Sequence, residues 1–92
     1  MISSFKCKDT QELYETGANR KFASIIRVAL RKLDMLAAAT MVETLRVSPG
    51  NGREQLRGNR AGQWSVRIND QWRVCFSWSG TNAENVEIVD YH

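Results

Sequence analysis

The stretch from Gln63 to Trp78 constrains this chain more than any other. Trp64, Val66 and Ile68 alternate with Ser65, Arg67 and Asn69, and Trp72, Val74, Phe76 and Trp78 alternate with Arg73, Cys75 and Ser77. Strict alternation of apolar and polar residues is the mark of a strand with one buried face. Two such runs separated by Asn69-Asp70-Gln71 read as a β-hairpin. A one-residue slip would turn every side chain to the wrong face, so the pattern also sets the register. A three-residue loop at 69–71 pairs Ile68 with Trp72, Val66 with Val74 and Trp64 with Phe76, whereas both two-residue alternatives mismatch the faces. The same register sets Arg67 directly opposite Arg73 on the non-core face. Trp64 and Trp72 alternate with core residues and are expected in the core, although an exposed indole can also serve as a base-stacking platform. Trp78 lies near a strand end and is expected half-exposed.

Upstream the period is 3.6. Phe22, Ile25, Ile26, Ala29, Leu30, Leu33, Leu36 and Ala37 make one apolar stripe of a helix over 20–38, with Arg27, Arg31, Lys32 and Asp34 largely outside it. Asp9 and Glu12 read as a capping box and Gly17 as a stop, which predicts a first short helix near 10–16. Ile2 to Lys6 suits a short strand. Thr40 and Glu43 make a second capping-box pair for a short turn, ending before the Ser48-Pro49-Gly50-Asn51-Gly52 loop. After a turn at Ser79-Gly80-Thr81-Asn82, Val86, Ile88 and Val89 predict a last short strand leading into Asp90-Tyr91-His92. The expected fold is α+β: two N-terminal helices packed on a mostly antiparallel β-sheet, as a single domain spanning 1–92.

Hydrophobic residues at 42% and charged residues at 25% exclude disordered, collagenous and coiled-coil classes. No apolar run approaches the roughly 18–20 residues that a membrane span needs. The opening Met1-Ile2-Ser3-Ser4-Phe5-Lys6 lacks the apolar region of a secretory signal. Cys7 and Cys75 lack the spacing of a metal site or a disulfide framework. A cytoplasmic protein without metal or cofactor is expected.

The net charge of +3 is unevenly distributed: residues 53–73 hold Arg53, Arg57, Arg60, Arg67 and Arg73 against Glu54 and Asp70, and residues 74–92 hold no Lys or Arg. The guanidinium fork fits phosphate bidentately, so an all-arginine block points to a polyanion partner ahead of plain solubility charge. Like charges facing each other across strands are destabilising, so Arg67 and Arg73 either hold an anion between them or splay into solvent. No phosphate loop is present, and one histidine, His92, cannot serve a Ser-His-Asp order. One chemistry without metal remains, cleavage of RNA by its own 2′-hydroxyl. It needs a base at that hydroxyl, cations on the phosphoryl oxygens and an acid for the departing 5′-oxygen. The arginines with Asp90, Tyr91 and His92 contain such groups. The alternative for His92 is an idle terminal residue.

The block Gly58-Asn59-Arg60-Ala61-Gly62-Gln63-Trp64-Ser65-Val66-Arg67-Ile68-Asn69-Asp70-Gln71-Trp72-Arg73-Val74-Cys75-Phe76, with the closing Asp90-Tyr91-His92, resembles HigB-type toxins of the RelE/ParE superfamily. The resemblance runs from the Met1 to Phe5 opening through both helices to the close. It implies a compact RelE-like domain and a small endoribonuclease that enters the ribosomal A site, cuts mRNA there and stops translation. It also implies a HigA-like helix-turn-helix antitoxin as partner, with operator DNA contacted only through that antitoxin, and no membrane. Carried onto this sequence, Arg73 and Arg67 hold the scissile phosphate, Arg57 and Arg60 contact RNA, and Asp90, Tyr91 and His92 take part in catalysis and base stacking. Some ribonuclease members carry histidine at the position of Glu54. The carboxylate here either acts as the base, kept ionised by Arg53 and Arg57, or faces outward paired with an arginine. Two other functions fit the same sequence: a ParE-like gyrase poison without nuclease chemistry, and a non-enzymatic RNA- or ribosome-binding module.

Overall fold

The structure, a computed structural model, describes residues 1–46, 54–55 and 62–90. The hairpin has the expected register. Strand β2 (Gln63–Arg67) runs antiparallel to β3 (Trp72–Ser79), with Trp64 opposite Phe76, Val66 opposite Val74 and Arg67 opposite Arg73. The Ile68 N–H donates to the Trp72 carbonyl at 2.9 Å, so the loop is the three residues 69–71. Asn69 closes it: its Oδ1 accepts from the N–H groups of Gln71 at 2.9 Å and Trp72 at 2.8 Å, the side-chain turn that Asn makes readily.

Two further strands complete a sheet of order β1-β2-β3-β4, with β1 (Glu54–Gln55) on one side and β4 (Asn82–Asp90) on the other, all antiparallel. Strand β4 starts four residues before the expected Val86. Its apolar residues Ala83, Val86 and Ile88 are not evenly spaced, because Asn85 adopts φ +53° in a bulge against β3. The extra residue keeps all three side chains in the core but breaks the alternation that would have marked Ala83 as part of the strand. Gly80 turns β3 into β4 at φ +61°, the first central position of a two-residue loop, where a primed turn favours glycine.

The outer side of β4 is covered rather than left as an open edge. Residues 1–6 run parallel to it through bridges Ile2–Ala83 and Phe5–Val86, with Ser3 N–H bonded to the Ala83 carbonyl at 2.8 Å and Lys6 N–H to the Val86 carbonyl at 3.0 Å. Further along, the buried Thr10 hydroxyl accepts the Ile88 N–H at 3.0 Å.

Helix α1 (Lys8–Thr16) begins two residues earlier than expected, with Cys7 at the cap position and no side-chain cap. The Asp9–Glu12 capping box does not form, because both carboxylates accept instead from the Asn19 amide, at 3.1 and 2.9 Å, which pins the connection to the next helix. Gly17 ends α1 as expected, at φ +78°, its N–H returning to the Leu13 carbonyl. Helix α2 (Ile26–Ala38) is shorter than the predicted 20–38. Residues 21–25 form turns that still bury Phe22 and Ile25, so the apolar spacing continued past the helix. Lys32, expected outside the stripe, is only 5% exposed. Val42–Arg46 is a 3₁₀ turn.

Both helices pack on the same face of the sheet, around Phe22, Leu33, Leu36, Val66, Val74, Phe76 and Val86. Trp72 meets Phe22 edge-on at 5.5 Å, and Trp64, Trp72 and Trp78 all lean on the core cluster while remaining partly buried. Trp78 donates its indole N–H to the Gly80 carbonyl.

Thr10 joins α1 to β4 through a single buried hydroxyl. Thr10→Val keeps the shape and leaves the Ile88 N–H unpaired, which is expected to cost about 1–3 kcal/mol of stability. A fall in the urea midpoint with unchanged slope would show it; an unchanged midpoint would contradict it.

Candidate nucleic-acid interface

The face of the sheet turned away from the helices carries the polar half of each alternating strand. Its residues line up in rows across the strands: Arg67, Arg73 and Val89 in one, and Glu54, Ser65, Cys75 and Glu87 in the next. The third row is Gln63, Ser77 and Glu84. Register thus brings Arg67 and Arg73 together and puts Glu54 on the adjacent row, opposite Ser65.

The two facing arginines avoid each other by turning to different partners. Arg67 bonds and ion-pairs with Asp70 in the hairpin loop, whose carboxylate is 96% exposed. Arg73 donates from Nε to the Ser65 hydroxyl at 2.8 Å, toward the middle of the sheet. Ser65 and Cys75, on the polar half of the alternation, are both 0% exposed, so this face is covered at its centre and open at its Arg67 end. At the β4 edge, Lys6 pairs with Glu87 at 3.8 Å.

Asp90 lies elsewhere. It is in register with Trp72, on the helix-facing side at the end of β4, and its carboxylate accepts from the Gln71 amide at 3.1 Å. Within the described residues it does not share the arginine row. Arg53, Arg57, Arg60, Tyr91, His92 and the loop 48–52 lie outside the described residues. Among the described residues no three His, Cys, Asp or Glu side chains gather as a metal ion would require, and no helix is long and apolar enough to cross a membrane. A shallow depression of about 460 Å³, lined by Glu12, Thr16, Asn19, Arg20 and Ile26, sits on the helical side and includes none of the sheet arginines.

Comparison with known proteins settles the family. Residues 3–92 match the family described as the RelE-like toxin of type II toxin-antitoxin system HigB. The toxin HigB-1 of Vibrio cholerae serotype O1 is 39% identical over 80 residues, covering 85% of this chain and 84% of its own. This chain belongs to the HigB-like toxin family. The Endoribonuclease HigB of Proteus vulgaris is 29% identical over 98 residues, covering 100% of both chains. The fold is that of solved toxins: a YoeB/ParE toxin from Agrobacterium tumefaciens superposes with a TM-score of 0.62 at 18% identity, over 100% of both chains. A chain of the heterotetrameric YoeB-YefM toxin-antitoxin complex from Staphylococcus aureus gives 0.62 at 18%, over 100% of this chain and 98% of that one.

Within this HigB-like toxin, two participants were missed by sequence reasoning although the signal for both was present. Asp70 stands three residues after Arg67, across the turn that the alternating runs had already located. Ser65 is opposite Cys75 in the predicted register and therefore diagonal to Arg73, a separation of about 7–8 Å that an arginine spans.

Lys32, buried in the helix layer, feels the charge of one of the sheet arginines. Burial pushes its ammonium below the usual lysine range, and the charges of Arg31 and Arg67 push the same way. Between this lowered folded value and the ordinary value of about 10.4, the unfolded chain binds a proton that the folded chain has released. The contribution of Lys32 to stability therefore rises with pH across that window. Lys32→Met, which removes the titration, is expected to lose stability relative to wild type as pH is raised from neutral toward about 10. Urea unfolding of both proteins across that range tests it; a difference independent of pH would contradict it.

Proposed function

We propose that this HigB-like toxin is a ribosome-dependent mRNA endoribonuclease that binds RNA on the outer face of its hairpin. The observation that carries the reading is the Arg67–Arg73 row, two guanidinium groups opposed on one rigid pair of strands with a local hydrogen-bond partner for each. Full-length similarity to a protein named Endoribonuclease HigB supports RNA cleavage as the chemistry.

In this account the substrate 2′-hydroxyl attacks the adjacent phosphorus as a base takes its proton. Charge accumulates on the non-bridging oxygens, where Arg73 and Arg67 stabilise it, and the 5′-oxygen leaves with a proton from an acid. The step yields a 2′,3′-cyclic phosphate and a 5′-hydroxyl, needs no metal, and cannot occur on DNA, which lacks the nucleophile. Arg57 and Arg60 hold flanking phosphates. Tyr91 and His92 belong to the reacting end, with Tyr91 as a stacking surface. Asp90 is held by Gln71 across the sheet from the arginines, which supports a positioning part for it and leaves Glu54 and His92 as candidates for base and acid. Arginine is too weak a base for that role.

The partners proposed with this activity are the ribosomal A site and its mRNA, and a HigA-like helix-turn-helix antitoxin through which the pair would reach operator DNA. The cytoplasm, where ribosomes and mRNA meet, is the expected location.

Primer extension on a reporter mRNA in a reconstituted translation system tests the reading. Cuts at A-site codons that require ribosomes are expected from the wild type, and a loss of at least a hundredfold in Arg73→Ala, on the order of a removed oxyanion donor. Intact message with running translation, accompanied by DNA damage in cells, would instead indicate a gyrase poison. Asp70→Asn removes the carboxylate that competes with phosphate for Arg67. It is expected to tighten RNA binding a few-fold at low salt, in line with an exposed ion pair of at most about 1 kcal/mol. Titration against an uncleavable 2′-deoxy oligonucleotide checks this, and equal or weaker binding would contradict it.

A further inference from the structure

Ser65 sits on the polar half of β2, where a serine usually meets solvent, yet it is 0% exposed. A buried hydroxyl is retained at little cost only when it is paired, and this one accepts the Arg73 Nε–H at 2.8 Å. A guanidinium has two edges that fit a phosphate bidentately, one formed by the two terminal Nη atoms and one by Nε with the nearer Nη. With Nε–H committed to Ser65, the second edge is occupied and the plane of the group is fixed against a strand whose backbone is bonded on both sides.

We propose that Ser65 is a positioning residue for Arg73, holding Nε so that the terminal Nη edge is the one presented to the phosphate. This rests on the reading of Arg73 as a phosphate ligand. Ser65 touches no reacting atom. Its effect is on the orientation of a charge that must be in place as the transition state forms, where a displacement of about 1 Å is felt strongly. The loss on removing it should therefore fall on the rate at saturation and not on the affinity for RNA, which many phosphate contacts share.

The test is steady-state mRNA cleavage in the ribosome-programmed system by wild type, Ser65→Ala, Ser65→Thr and Arg73→Ala, each with its melting temperature measured. Ser65→Ala is expected to lower kcat about tenfold with KM within twofold, while Ser65→Thr, which keeps the hydroxyl, recovers kcat to within about threefold of wild type. Should Ser65→Ala not fold, Ser65→Cys, with its weak sulfur acceptor, is read by the same standard. An unchanged kcat in Ser65→Ala beside an inactive Arg73→Ala overturns the Ser65 assignment alone. So does a change confined to KM, or a Ser65→Thr as slow as Ser65→Ala. Wild-type cleavage by Arg73→Ala overturns the phosphate reading of Arg73 and the Ser65 assignment with it.

Discussion

The Asn69 side chain accepts from two successive backbone N–H groups, Gln71 and Trp72, and in doing so fixes where β3 begins against β2. The arginine face depends on that small turn. Because side chains alternate along a strand, moving β3 by one residue against β2 would send Arg73 toward Phe22 and Leu33 and turn Val74 and Phe76 outward. The core enforces the same choice from the other side, since Val74 and Phe76 are fully buried and Val66 nearly so. Turn chemistry and hydrophobic burial thus specify one pairing together, and the opposition of two like charges is its consequence, not an independent feature.

That opposition must be relieved, and the relief divides the two arginines. Arg67 leans toward the loop and a carboxylate standing in solvent, while Arg73 leans inward onto a buried hydroxyl. A surface ion pair such as Arg67–Asp70 is weak and is screened by salt, so an incoming phosphate can replace it. The Arg73–Ser65 bond is part-buried and remains compatible with a phosphate on the other edge of the guanidinium. One cation is thereby exchangeable and one is anchored, an arrangement suited to capturing a polyanion and then holding one of its phosphates in a defined place.

Most of this was legible in the sequence where a strict period was present. The alternation of Trp64 to Trp78 was enough for the hairpin and its register, and the 3.6-residue stripe for the face of α2. The reading was incomplete where a second constraint acted on the same residues. Asp9 and Glu12 have capping-box spacing, but Asn19 draws both carboxylates into holding the α1–α2 connection. Phe22 and Ile25 continue the helical stripe from within turns. Asn85 inserts an extra residue that shifts the phase of β4. Lys32 is polar by composition but buried, its long stem lying within the helix layer. At the site, the arginine pair followed from register alone. Its partners Ser65 and Asp70 required knowing which way each guanidinium turns, and Asp90 required the pairing of β4, which places it beside Trp72.

The central claim is that RNA lies on the outer face of the β2–β3 hairpin and not on the helices. The most direct measurement is photocrosslinking of an mRNA carrying a photoreactive nucleotide at the cut position, with the attached peptides identified by mass spectrometry. The account predicts crosslinks to the outer face of β2 and β3 at its open end, at Arg67 and Arg73. Crosslinks concentrated on the exposed surfaces of α1 and α2 would contradict it.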